Sequence, residues 1–236
     1  MIEKLSKKIV KVLIQEDIVK FDDYEVCIYG LQVFLITLVE FIGLIVLGIL
    51  FKHITETIIF IIFFSSLRVS AGGFHSDKWY KCFAIISFFT LVSIYVVHSL
   101  TSLINMEIIL LILVLSLLLL IKYSPVDTKS NPLTYREKKE QRKNSLKTFA
   151  IQAAIIISLY LLNMNSIREH IQIATLAVMM EALTLINFNN KNKGEKMNKR
   201  ILNYIAKNAI SVAKLSSKST CIVFTYQPKV PAQLKK

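Results

Sequence analysis

A chain of 236 residues in which 54% are hydrophobic, with a mean hydropathy of +0.53, is too apolar for a soluble domain, and this excludes an ordinary soluble enzyme. The net charge of +13 comes from 29 Lys and Arg against 16 Asp and Glu, and much of it falls in the connections between apolar runs. Basic loops facing anionic inner-leaflet lipid account for that charge, so membrane lipids are the expected partner and nucleic acid is not.

The first twenty residues, MIEKLSKKIVKVLIQEDIVK, alternate charged and apolar positions, which predicts a basic amphipathic helix lying on the membrane and no cleavable signal peptide. Apolar runs follow at residues 31–51, 54–67, 83–100, 106–121, 146–162 and 171–188. Their lengths approach the roughly 20 residues that a helix needs to cross a bilayer. The expected fold is therefore an all-α polytopic membrane protein of about six transmembrane helices, with amphipathic helices at both ends. The second run is short and opens with Thr55, Glu56 and Thr57, which leaves a re-entrant segment as the alternative to a span.

Short cytoplasmic connections retain Lys and Arg. Lys4, Lys7, Lys8, Lys11 and Lys20 therefore place the N-terminus inside. Alternation then puts the segment with Arg68, Lys78 and Lys81 inside, together with the long basic loop from Lys129 to Lys147. The connections assigned outside carry little positive charge: Lys52 in the first, none between Thr101 and Asn105, and Arg168 in the third. His53, His98 and His170 fall near the outer ends of spans and read as interfacial residues.

Three cysteines, Cys27, Cys82 and Cys221, make no even framework, and all fall on the reducing side of this topology, so reduced thiols are expected. Cys27 reads as a small buried apolar residue. Cys82 opens the third span and follows His75 by seven residues. A thiol is a weak nucleophile at neutral pH until a base such as imidazole takes its proton. On one unbroken helix that spacing would leave about 10.5 Å of axial separation, so the chain must bend for the two to meet. Gly72 and Gly73 permit the bend, and Phe74, Trp79 and Tyr80 suit an interfacial loop. A metal site from His75, Cys82 and Asp77 lacks a fourth ligand, and neither metal nor cofactor is expected.

The stretch RVSAGGFHSDKWYKC at 68–82 resembles the signature of the accessory gene regulator B family (AgrB), membrane cysteine peptidases of Gram-positive quorum sensing. A second stretch, YSPVDTKSNPL at 123–133, resembles that family's loop after the fourth span, and the likeness covers roughly residues 1 to 190. The resemblance implies a catalytic pair of His75 and Cys82, with Arg68 and Gly73 on positions the family also needs. Arg68 suits pairing with a substrate carboxylate or with Glu40, or fixing the loop; a topology-setting charge is the alternative. Glu40 lies in mid-span, where a carboxylate is costly unless it is paired or faces a polar cavity. Asp127 is placed either to orient His75 or to cap a helix or turn. Lys129 stands where some relatives carry several lysines, and its role stays open.

The apolar pattern stops at Phe188, and NNKNKGEK at 189–196 reads as a linker. Residues 197–215 place apolar and basic positions on opposite sides of a helix, and they run into STCIVFT and the proline-containing YQPKVPAQLKK. This order resembles the AgrD propeptide family, the substrates of AgrB. It implies an enzyme at 1–188, a linker at 189–196 and a propeptide at 197–236. Within the propeptide the leader is 197–215 and the ring-forming core is 221–225. Residues 226–236 occupy the place of the family's acidic-type recognition tail.

The implied reaction is attack of Cys82 on the carbonyl of Thr225, release of Tyr226 to Lys236, and displacement of Cys82 by Cys221 to give a thiolactone. Tyr226 is the alternative ring end. The propeptide is the expected partner, in cis or in trans, and a homodimer is among the options for oligomeric state. The competing class is a non-catalytic peptide carrier or exporter, with Glu40 and the basic loops handling passage.

Overall fold

The computed structural model describes residues 2–15, 23–73, 79–126, 133–162 and 167–186. These residues form seven α-helices: α1 (Ile2–Gln15), α2 (Tyr24–Leu50), α3 (Ile54–Ala71), α4 (Trp79–Leu100), α5 (Met106–Tyr123), α6 (Tyr135–Leu161) and α7 (Arg168–Thr184). The expected C-terminal amphipathic helix lies outside the described residues.

Helix α1 matches the expected surface helix. Val10 is buried while Leu5 and Val12 remain about half exposed beside the lysines. Lys7 Nζ lies 2.6 Å from Glu3 Oε1, and this hydrogen bond holds the Glu3 carboxyl below its ordinary range.

Five helices, α2 to α6, are long and apolar enough to cross a membrane. The segment that allowed a re-entrant reading is a continuous helix of 18 residues. Its polar start is accommodated locally, since the buried Thr57 Oγ1 donates to His53 O at 2.8 Å. Helix α6 begins eleven residues before the apolar run, because Thr134 and Glu137 form a capping box that starts a helix in the basic segment.

The sixth expected span, α7, has 17 residues and packs against α3, α4, α5 and α6 in the middle of the bundle. Its Gln172, Thr175, Glu181 and Thr184 are buried among protein instead of facing lipid. The outer helices show the opposite arrangement. Phe34, Phe41, Ile42 and Ile49 on α2 and Leu111, Val114 and Leu118 on α5 are exposed, a surface that hydrocarbon solvates and water would not.

With lipid as solvent, apolar burial distinguishes helix from helix weakly, and polar contacts between helices add specificity. Gln152 Nε2 on α6 donates to Phe63 O and Ser66 Oγ on α3, both at 2.8 Å. Gln172 Nε2 on α7 donates to Thr101 O at 3.0 Å and Ile104 O at 2.8 Å, which fastens α7 to the α4–α5 turn. Replacing Gln152 by Leu should lower stability by about 0.6 kcal/mol, the usual worth of such a bond in a membrane. An SDS-unfolding titration of the purified chain measures this loss.

Candidate active site

A second group of polar residues on α3 lies near its C-terminal end, where Ser65, Arg68 and Ser70 are buried. Arg68 is fully buried, and its Nη1 donates to Glu181 Oε2 at 3.1 Å and to Thr184 Oγ1 at 2.5 Å, both on α7. Thr184 Oγ1 in turn lies 2.8 Å from Glu181 O and 3.2 Å from Glu181 Oε2. The guanidinium carbon stands 5.8 Å from the centre of the Phe64 ring. A charge this deep in the bundle is tolerated because its counter-charge and hydrogen-bond partners are supplied on the spot.

A second carboxylate faces the same charge. Glu40 on α2 is 1% exposed and lies within electrostatic reach of Arg68. Neither of its oxygens has a hydrogen-bond partner among the described residues. One guanidinium thus serves two buried acids, one by contact and one through space.

Helix α3 ends on the same group. Gly72 N donates to Arg68 O at 3.0 Å, and Gly72 and Gly73 take φ of 77° and 144°. A Cβ on Gly73 would overlap Arg68 Nη1 and Thr184 Oγ1. Only glycine fits there, both for its dihedral and for its contact. The backbone therefore leaves α3 against the ion pair and enters residues 74–78, which include His75.

Cys82 lies in the first turn of α4 and is fully buried. The next residue, Phe83, sets its ring where a Cβ on Gly43 of α2 would stand, with Phe83 Cε2 and Cζ at 2.7 Å, so α2 and α4 approach closely beside the thiol. The connection after α5 reaches the same end of the bundle. Val126 N donates to Ala71 O at 3.0 Å, and Ser124 Oγ lies 2.8 Å from Ser145 Oγ on α6.

The structure thus brings Arg68 and Gly73 into contact and sets Glu40 in the same field. His75, Asp77, Asp127, Lys129, Cys221, Thr225 and Tyr226 lie outside the described residues. The direct partner of Arg68 is Glu181, with Thr184 beside it, and sequence reasoning missed both. The available signal was a carboxylate inside the apolar run 171–188, since an intramembrane charge calls for a partner of opposite sign.

The family model for accessory gene regulator B matches residues 6–185, most of the chain and all of these elements. The chain belongs to the AgrB family. It is 31% identical over 200 residues to an AgrB-like protein of Clostridium perfringens (strain SM101 / Type A), covering 80% of this chain and 94% of that one. It is 30% identical over 172 residues to AgrB-like protein 2 of Clostridium perfringens (strain 13 / Type A), covering 70% and 80%. No solved structure gives a significant match. Membership carries a membrane peptide-processing role in the accessory gene regulator system, and the AgrB match ends before residues 197–236.

Removing one member of a buried pair strands the other, so Arg68→Met or Glu181→Leu alone should lose about 3–5 kcal/mol of stability. The double variant Arg68→Met/Glu181→Leu should recover most of that loss in the same SDS titration. Gly73→Ala, with a strained backbone and a steric overlap, should lower the thermal unfolding midpoint of the purified chain.

Proposed function

We propose that this AgrB-family chain is a membrane cysteine endopeptidase that cuts its own AgrD-like segment, or one on a neighbouring chain, after Thr225 and closes a Cys221–Thr225 thiolactone. The observation that supports this most is the placement of Cys82. Its thiol is enclosed in the first turn of α4, at the end of the bundle where the Gly72–Gly73 bend leads towards His75. The exposed N–H groups of a first helical turn favour negative charge nearby, as an attacking thiolate requires.

In the reaction His75 takes the Cys82 proton, and the thiolate attacks the carbonyl carbon of Thr225. The bond from Thr225 to the nitrogen of Tyr226 breaks as that nitrogen accepts the proton from His75, and residues 226–236 depart. The leader and core remain as a thioester on Cys82. The Cys221 thiolate then attacks the same carbonyl, and Cys82 leaves as the thiolate and recovers its proton. Holding both thiols on one complex makes ring closure effectively unimolecular.

Trading an amide for a thioester is uphill, so loss of the tail must draw the reaction forward. Apolar Ile222, Val223 and Phe224 docked at the bundle would keep water from the acyl-enzyme. Arg68, locked to Glu181, acts in this scheme by fixing where the chain leaves α3 towards His75. Asp127 and Lys129 belong to the connection that Val126 ties to α3. In this reading the N-terminus and the site face the cytoplasm, which the basic connections support.

The test is mass spectrometry of membranes expressing the full chain. The parent should release the fragment Tyr226 to Lys236 and retain a remainder lighter than the linear acid by one water. Cys82→Ala and His75→Ala should release none above background, and Cys221→Ser should still permit the cut but yield no thiolactone. Release from Cys82→Ala at the parental level would favour the carrier reading, in which the buried Glu40 handles passage.

A further inference from the structure

At the end of the bundle away from Cys82, side chains from separate elements converge. His53 lies in the turn between α2 and α3, Glu56 in the first turn of α3, and His98 in the last turn of α4. Helix α3, with 18 residues, separates this group from the Gly72–Gly73 bend, which at about 1.5 Å per residue is some 27 Å. One ligand atom from each of the three residues lies within 4.8 Å of the other two. The imidazoles of His53 and His98, residues that the sequence presents as separate interfacial groups, have ring centres 4.3 Å apart.

Each ring also faces a carboxylate. His53 Nδ1 is 3.8 Å from Glu56 Oε1, and His98 Nδ1 is 3.9 Å from Glu169 Oε2 in the first turn of α7. Both distances are too long for hydrogen bonds. These atoms are thus gathered without bonding one another. Backbone bonds hold the turn beneath them, with His53 N donating to Gly48 O at 2.8 Å and Thr57 N to His53 O at 3.0 Å.

We propose that His53, Glu56 and His98 form a binding site for a divalent transition-metal ion of the zinc class, with Glu169 orienting His98. Two imidazoles and a carboxylate are a donor set that suits zinc and is poor for magnesium or calcium. Ligands about 2.0–2.2 Å from a tetrahedral ion lie roughly 3.4 Å from one another. Side-chain rotation of an ångström or so closes the set. Glu169 at Nδ1 of His98 leaves Nε2 to face the ion, the arrangement in which an outer carboxylate fixes a metal-binding imidazole.

The side chains of His53 and His98 are 31% and 36% exposed, so the ion has a path in and water can complete its coordination. Bound there, it ties the α2–α3 turn to the end of α4. Through Glu169 it also steadies the start of α7, whose other end carries Glu181.

The test uses Zn2+ and the purified full chain in detergent without a histidine tag, in competition with a chromogenic zinc indicator. The parent and Cys82→Ser should bind a single ion with equal affinity, and excess Mg2+ should not displace it. His53→Ala and His98→Gln should each bind at least about tenfold more weakly, and Glu169→Gln about tenfold more weakly. Zinc-edge X-ray absorption of the parent, which needs no variant to fold, should show nitrogen and oxygen neighbours with imidazole scattering. Absence of binding by the parent, equal affinity in both histidine variants, or sulfur in the zinc shell would overturn the proposal.

Discussion

Everything at the candidate active site hangs on a buried ion pair in a bundle that has hydrocarbon outside. Arg68 and Glu181 are both fully buried, and their contact joins the end of α3 to the end of α7. In a low-dielectric interior such a pair adds little net stability, because desolvation offsets the attraction, yet neither member is tolerable alone. Its effect is therefore geometric. The guanidinium has one acceptable place, and Thr184, Gly73 and the exit of the chain towards residues 74–78 are set by it.

The arrangement of helices around that pair follows from the solvent. Apolar side chains on α2 and α5 face outward because lipid accepts them, so the apolar pattern does not say which face of a helix meets another helix. Selection falls to the sparse polar groups. Gln152 fastens α6 to α3, Gln172 fastens α7 to the α4–α5 turn, and Glu181 fastens α7 to α3. The shortest of the six later helices is accordingly the central one. Its buried Gln172, Glu181 and Thr184 would be costly facing lipid and find partners on α3 and the α4–α5 turn.

The polar ends of the bundle carry different chemistry. One end gathers a thiol, an arginine and two acids beneath a glycine bend. The other gathers imidazoles and carboxylates at half-exposed positions. Helix α7 spans both, with Glu169 in its first turn and Glu181 in its last, so an influence on one end has a rigid element through which to reach the other.

Much of this was legible in the residues. Run lengths and composition determined an all-α membrane protein, because a helix must satisfy its own backbone and cover a fixed thickness of hydrocarbon. The motif 68–82 pointed to the family that the match over residues 6–185 shows, and it drew attention to Cys82, Arg68 and Gly73 as candidates. The partner of Arg68 was not legible: Glu40 and Glu181 are both lone acids in apolar runs, and only helix packing decides which one touches the guanidinium. The same holds for His53 and His98, forty-five residues apart in sequence and with ring centres 4.3 Å apart in space. Sequence determines which groups are present and at what depth along each helix; tertiary structure alone decides which of them face one another, because rotation about a helix axis and choice of neighbour leave almost no trace in an apolar pattern that lipid and protein satisfy equally.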